Sequence, residues 1–314
     1  MPAIVTLTLN PAIDVSTSTA QVAPERKLRC APARRDPGGG GINVARVISR
    51  LGGEALAIFT AGGFSGERLR DLVRAEGLAS LAIPASGETR EDFTVMETDG
   101  GAQYRFVLPG PAMAQAEWTA CCAALAGLTS PPAFLCASGS LPPGAPPDAY
   151  AQLADIAAGL GAKFALDTSG APLKAALAHG VWLVKPNLNE MRDLTGEALA
   201  DEAAQVAACR RLIAAGGAEV IALTLGAAGA VLVTRDEAWR AAPLAVEAVS
   251  TVGAGDSFLG ALLWAQAAGK DLEDSFRHAV AGGSAALLAP GTELCMAEDL
   301  RGLLNQAAIT RIAP

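Results

Sequence analysis

Residues 250–257 read Ser-Thr-Val-Gly-Ala-Gly-Asp-Ser and run straight into Phe258, Leu259, Gly260, Ala261, Leu262, Leu263 and Trp264. Small and polar residues that end abruptly at an apolar run predict a loop turning into a buried helix. Glycines let backbone N–H groups converge with no Cβ in the way. At a helix start those donors lack intrahelical partners and the dipole end is positive, so an anion is favoured there. Asp256 falls in the first turn, beside the anion it would repel. Aspartate is a good helix N-cap, which is its ordinary role at such a place. The chemical alternative is a carboxylate held next to a phosphate so that it can take a proton from an attacking hydroxyl.

A second glycine run, residues 37–45, reads Pro-Gly-Gly-Gly-Gly-Ile-Asn-Val-Ala. Four glycines directly before a helix bring the backbone very close to something; a merely flexible loop is the plainer alternative. The helix carries Val44, Val47, Ile48 and Leu51 on one face and stops at Gly52 and Gly53. The run is neither a P-loop nor a dinucleotide fingerprint, because the G-K-[ST] ending, the third spaced glycine and the preceding apolar strand are absent. Upstream, the strand at residues 4–9 ends in Asn10-Pro11-Ala12-Ile13-Asp14. Ligands of open α/β sheets gather at strand carboxyl ends, so Asp14 is a candidate to grip sugar hydroxyls, with a simple turn as the other possibility.

These residues need a scaffold, and the rest of the chain predicts one. Residues 55–59, 78–83, 134–137, 164–166, 182–184, 220–225 and 230–234 are short apolar runs. Most end in polar or glycine residues and lead into a helical stretch, including one at residues 67–76. That alternation predicts a mostly parallel sheet with helices on both faces and functional residues along one rim. Two β segments are too polar for a core. Residues 15–19 and 27–30 form the first; residues 93–98 and 103–107 flank Asp99-Gly100-Gly101 as a hairpin and form the second. They are expected to pair outside the main sheet. Lys27, Arg29, Arg34 and Arg35 concentrate positive charge there, although an edge strand also carries basic residues against aggregation.

Half of the 314 residues are apolar, and the net charge is −8. An acidic chain argues against nucleic-acid or anionic-membrane partners, so any basic site must be local. The six cysteines show no zinc spacing and no disulfide framework, which predicts a reducing, cytoplasmic setting. No signal peptide is expected ahead of the first strand, and no apolar run approaches the roughly 20 residues of a membrane span.

With both glycine runs in view, the chain resembles the ribokinase-like (PfkB) carbohydrate kinases over essentially its whole length. The matching elements, in the family's order, are residues 10–14, 38–45, 138–144, the Lys185-Pro186-Asn187-x-x-Glu190 motif and 251–257. The resemblance implies a single ribokinase-like α/β domain over residues 1–314, with a β lid from inserts 12–36 and 88–108 that also makes a homodimer contact. It implies phosphoryl transfer from MgATP to a sugar-phosphate hydroxyl. Asp256 is then the base, and the amides of Gly253, Ala254 and Gly255 form the anion hole. Asp14, Gly38, Gly39, Asn43, Ser138 and Gly139 contact the sugar, while Arg90, Lys27 and Arg105 hold its phosphate. Lys185 lies near the nucleotide phosphates, Asn187 and Glu190 position Mg2+ through water, and Thr224, Gly226 and Gly229 border the nucleotide. Relatives also bind a monovalent cation such as K+, here through Ser250, Val252, Ala286, Ala289, Gly291 and Glu293, mainly by backbone carbonyls. Ala289 and Glu293 depart from the Asn and Arg expected there.

The expected acceptor is fructose 6-phosphate, giving the 1,6-bisphosphate. Relatives acting on fructose 1-phosphate or tagatose 6-phosphate usually have lysine where this chain has Gly40, which argues against those substrates. A non-catalytic sugar or nucleotide sensor on the same fold is a different class of reading. It predicts a lost base or anion hole, and both are intact in sequence.

Overall fold

A computed structural model describes residues 3–291 and 293–313. In chain order the first strands are β1 (Ile4–Thr8), β2 (Ala12–Thr19), β3 (Arg34–Gly38), β4 (Ala55–Ala61), β5 (Ala79–Pro84), β6 (Arg90–Glu97) and β7 (Gln103–Phe106). Then come β8 (Phe134–Ser138), β9 (Lys163–Asp167), β10 (Val181–Val184), β11 (Ala218–Thr224), β12 (Ala230–Val233), β13 (Ala238–Ala241) and β14 (Ile309–Arg311). The helices are α1 (Gly40–Arg50), α2 (Gly63–Ala75), α3 (Gln115–Ala126), α4 (Ala149–Leu160), α5 (Gly170–His179), α6 (Leu188–Thr195), α7 (Glu202–Ala214), α8 (Ala254–Ala267), α9 (Leu272–Ala286) and α10 (Ala297–Leu304).

Ten strands form one sheet in the order β14-β13-β12-β11-β10-β9-β8-β1-β4-β5. From β11 to β5 every neighbouring pair is parallel, and β12, β13 and β14 add an antiparallel edge. The central strands are apolar on both sides, as a doubly covered parallel sheet requires. Along β1, Ile4 packs into one core while Val5 and Leu7 enter the other. Helices α1, α2, α8, α9 and α10 cover the first face, and α3 to α7 the second. This is the mostly parallel α/β fold, a sheet with helices on both faces, that the alternation of runs predicts.

A second sheet of four strands, in the order β3-β2-β6-β7, stands apart from the first. The two polar segments meet in it, through parallel pairing of β2 with β6. Residues 27–30, expected as a strand, are instead part of a loop. Pro24 and Pro32 flank the segment and cannot donate to a ladder. It is tied to β2 by the Ala31 amide on Ser18 O (2.9 Å) and the Thr17 hydroxyl on Ala31 O (2.8 Å). Strand β3 takes the edge position instead. Helix α2 starts four residues before the predicted Glu67, because Glu88 from a distant loop accepts from the Ser65 amide at 2.6 Å.

The packing of α1 on α8 sets the site. A Cβ built on Gly260 would lie 2.8 Å from Val47 Cβ and 3.1 Å from Val44 O, so the two helices touch backbone to side chain. Gly260→Val would force them apart. Overpacking of this kind costs about 1–3 kcal/mol, and we expect a lowered urea midpoint together with reduced turnover. An unchanged midpoint would show that the contact has slack.

Candidate active site

A cleft of about 420 Å³ opens at the carboxyl ends of the parallel strands and is lined from both sheets. The four-stranded sheet contributes Asp14, Arg90, Asp92, Arg105 and Val107; the main domain contributes Ser138, Asp167, Glu190 and the start of α8, among others. Helix α8 begins after Gly253, its N-cap residue, whose φ of 78° is left-handed, and no side chain caps it. A Cβ at Gly253 would also collide with Leu294 Cδ2. The first amides of α8 thus remain available to an anion at the cleft. Asp256 does not act as the N-cap, since it sits inside the first turn. Its Oδ2 accepts from Asn43 Nδ2 at 2.9 Å, so the two glycine-rich helix starts meet at one hydrogen bond.

Asp256 opens onto the cleft but is otherwise enclosed by protein. Burial, and then the charge of Asp167, push its carboxyl up to about 6; the Asn43 bond and Lys185 hold it back. Lys185 is buried and pairs with Asp167 at 3.1 Å. Burial alone would lower its pKa, but Asp167 outweighs that and holds the ammonium above its ordinary value. Asp14 is a strand residue and not a turn residue. It stands opposite Asp36 on β3 and Asp92 on β6. Burial first, then the Asp92 charge, push it up to about 7. Arginines answer this row of carboxylates: Arg34 pairs with Asp36 at 3.0 Å and Arg90 with Asp92 at 3.2 Å.

Arg90 and Arg105 both face the cleft. Arg90 also donates to Leu108 O (2.6 Å) and Asn10 O (3.1 Å), which fixes the direction of its guanidinium. Asn43, Gly39, Ser138 and Gly139 join the same lining. Gly38 lies beneath it, against Asp14, where a Cβ would collide with the carboxylate. A Cβ at Gly40 would collide with Ser138 Oγ. Lys27 is exposed on the loop before β3 and is not brought to the cleft. Asp167, Asp92 and Thr251 belong to the lining but escaped the sequence reading. For Asp167 the available signal was its place at the end of an apolar run, the same logic that picked out Asp14.

Known proteins resemble the chain over most of its length. The description "pfkB family carbohydrate kinase" matches residues 3–299. This chain belongs to the pfkB family of carbohydrate kinases. ATP-dependent 6-phosphofructokinase isozyme 2 of Mycobacterium tuberculosis is 44% identical over 307 residues, 98% of this chain and 90% of that one. Among solved structures, Escherichia coli phosphofructokinase-2 in complex with substrates and products superposes with a TM-score of 0.93 at 40% identity, covering 97% and 99% of the two chains. The same protein in complex with potassium gives 0.93 at 40% identity, covering 98% and 99%.

Other residues expected from the pfkB motifs divide into two groups. Asn187 caps α6, accepting from the Glu190 amide at 2.9 Å, while Glu190 Oε2 accepts from the Asn187 amide at 2.8 Å. Glu190 also lines the cleft, and burial raises its carboxyl pKa. Thr224 bridges to Asn187 at the next strand end, and Gly226 and Gly229 follow it; none of the three lines the cleft. Among the described residues no three acidic, His or Cys side chains form a metal cage. Glu190 and Asp167 facing one cavity fit a Mg2+ that keeps its waters and leans on phosphate.

The potassium segment fits less well. Ser250 Oγ donates to Gly291 O at 3.2 Å, and Arg50 donates to Glu293 O, so two of the expected carbonyls already have donors. Ala286 O accepts weakly from the Ala289 amide, at 3.4 Å. Val252 is buried with its amide on Ser250 Oγ, and the Glu293 carboxylate pairs with Arg34 at 2.7 Å. Thr292, within this segment, lies outside the described residues. Three of the six expected carbonyls are thus shared with protein donors.

Two raised carboxyls give a sign for pH. Folded Asp14 and Asp256 hold protons at pH values where the unfolded chain has released them. Stability therefore falls as pH rises through their folded pKa values, near 7 and 6. Glu76, lowered in the fold by Arg46 and Arg50 against the effect of burial, acts oppositely only in more acid solution. The ligand-free protein should gain melting temperature from about pH 8 to about pH 5.5. Asp14→Asn should flatten most of that gain. A wild-type melting temperature that is flat or falls over this range contradicts the assignment.

Proposed function

We propose that the protein transfers a phosphoryl group from ATP to fructose 6-phosphate, giving fructose 1,6-bisphosphate. One observation carries this reading: a carboxylate with a raised pKa, Asp256, is held in the first turn of an uncapped helix, across a cleft from two arginines. The sugar's acceptor hydroxyl lies against Asp256, and Arg90 and Arg105 hold the phosphate already on the sugar, in the bidentate manner that suits guanidinium. As the hydroxyl oxygen bonds to the γ-phosphorus, the bond to the ADP oxygen breaks and the hydroxyl proton passes to Asp256. The amides of Gly253, Ala254 and Gly255 receive the equatorial oxygens of the migrating group. Lys185, beside Gly255, adds positive charge to the same spot. Asp14, Gly39, Asn43, Ser138 and Gly139 orient the sugar, and the backbone around Gly38 seats Asp14. Mg2+, when bound, neutralises phosphate charge; Glu190 and Asp167 would hold its water shell. Thr224, Gly226 and Gly229 border the nucleotide beyond Glu190.

The four-stranded sheet serves as a lid over this cleft and as a dimer face. Arg105 and Gln103 point inward, while the alternate residues Tyr104 and Phe106 are exposed, with Phe93 paired to Phe106 beside them. An exposed apolar row on a small sheet suits burial against a second copy. Phe106→Glu should convert dimer to monomer in sedimentation velocity; a wild-type monomer at micromolar concentration rules the face out. All six cysteines are free and four are buried, and no helix among the described residues is long and apolar enough to cross a membrane. The free thiols suit a reducing cytoplasm.

Fructose 1-phosphate and tagatose 6-phosphate are the competing acceptors. The space over Gly40 is already filled by Ser138, which leaves no room for a lysine at that position. The sensor reading lacks support because the base and the uncapped helix start are both in place. ADP release with matched fructose 6-phosphate, fructose 1-phosphate, tagatose 6-phosphate and free sugars decides among these. We expect the highest kcat/KM for fructose 6-phosphate, and at least about a 100-fold loss of kcat in Asp256→Ala. Near-normal turnover by the folded mutant would falsify the base assignment.

A further inference from the structure

Arg46 has no part in the mechanism above, yet it is the largest wholly buried side chain of the protein's described residues. It lies on α1 one turn beyond Asn43. Its Nη1 donates to Asn43 Oδ1 at 3.2 Å and to Pro37 O at 3.1 Å. Its Nη2 donates to Glu76 Oε1 at 2.8 Å. Glu76 follows α2 and is itself held by Arg50 at 2.9 Å. Asp36 stands 3.9 Å from the same guanidinium.

The chemistry of these groups fixes the orientation of one amide. A guanidinium only donates hydrogen bonds, and an ionised carboxylate only accepts them. Asn43 lies between the two. With its Oδ1 claimed by Arg46, the Nδ2 end must face Asp256, where it donates at 2.9 Å. Turning the amide over would set oxygen against carboxylate and N–H against guanidinium, two repulsive contacts in a buried place. A cation on one side and an anion on the other also polarise the amide, which strengthens both bonds. Glu76 and Pro37 O tether the guanidinium from behind, so it cannot swing across to Asp256 and neutralise it.

We propose that Arg46 is a positioning residue for the reacting carboxylate, acting through Asn43 to fix the rotamer and hydrogen bonding of Asp256. This rests on the reading of Asp256 as the base. The other groups facing Asp256 are Asp14 on β2, Arg105 on β7, Cys136 on β8, Asp167 at the end of β9 and Lys185 after β10. Of these, Asp14 also feels the Arg46 charge, which Arg46→Lys preserves. Removing the Asn43 bond removes an influence that lowers the Asp256 pKa. The acid limb of the kcat/KM profile must then move to higher pH.

A double-mutant cycle tests this, using Arg46→Lys, Asn43→Ala and the pair. Lysine keeps the charge but loses the planar fork that holds both Asn43 and Glu76. We expect Arg46→Lys to lower kcat about 10-fold, as for loss of a hydrogen bond to a charged group, to change the sugar-phosphate KM little, and to shift the acid limb upward. In the Asn43→Ala background the same change should have no further effect on kcat. Additive losses, or a lowered melting temperature with an unmoved acid limb, would mean that Arg46 is structural only. If Arg46→Lys does not fold, Glu76→Gln replaces it in the cycle, with a smaller shift of the same sign expected and an unmoved limb overturning the proposal. Carbon-13 NMR titration of Asp256 in the ligand-free protein separates this proposal from the functional reading. If no sugar phosphate in the panel is phosphorylated, the functional reading fails. The relay still stands or falls on whether Asp256 titrates at higher pH in Arg46→Lys than in wild type.

Discussion

The site depends on the contact between the first turns of α1 and α8. The Asn43–Asp256 hydrogen bond joins residues 213 positions apart, and it forms because Gly260 lets the two helices approach at Val44 and Val47. The driving force is further along α8. Leu259, Leu262 and Leu263 are completely buried, and each contributes roughly 1.5–3 kcal/mol by leaving water. Burial of the helix body draws its polar first turn into the protein behind it. The same burial strips water from Asp256 and raises its pKa. Fold stability and base strength therefore share one cause, the apolar run that follows the glycines.

The electrostatics of the cleft oppose stability. Asp14, Asp92, Asp167, Glu190 and Asp256 face one cavity in a chain of net charge −8. Arg90 is largely answered by Asp92, and Lys185 by Asp167. The ligand-free site is thus short of positive charge, and neighbouring carboxylates add to burial in raising Asp14 and Asp256. Nucleotide phosphates near Asp167, Glu190 and Asp256 would be repelled unless they arrived with a cation, which is the condition that a metal-bound nucleotide meets. A site poised in this way is destabilising by itself, the usual relation between function and stability.

Much of the fold was legible because it is written in continuous apolar runs. The runs at residues 4–9, 55–59 and 134–137 supply β1, β4 and β8, which are buried on both faces. The polar segments were legible as a separate sheet for the opposite reason. Long-range pairings were not legible. Nothing near Gly63 announces that Glu88 will cap α2. The loop at 27–30 has strand-like composition, and only the flanking prolines argue otherwise. Arg46 is the sharpest case. An arginine in an amphipathic helix reads as a solvent-facing residue. Its burial requires Glu76, Pro37 O and Asn43, brought together by three separate elements.

Period-two alternation gives the small sheet two unlike faces. On β7, Gln103 and Arg105 turn toward the protein, and Tyr104 and Phe106 turn away. The inner face is not merely a wall. Gln103 Nε2 donates to Ser250 Oγ at 3.3 Å, and that hydroxyl also accepts from the Val252 amide at 3.2 Å and donates to Gly291 O. Arg34, at the far edge of the same sheet, pairs with Glu293. Both edges of the sheet are thus bonded to the segments that flank the start of α8. A displacement of the sheet would act on the backbone around Val252, one residue before the amides proposed to receive the migrating phosphoryl group. The proposed acceptor and donor ends of the site are therefore supported by a single hydrogen-bonded unit, although they are built from opposite ends of the sequence.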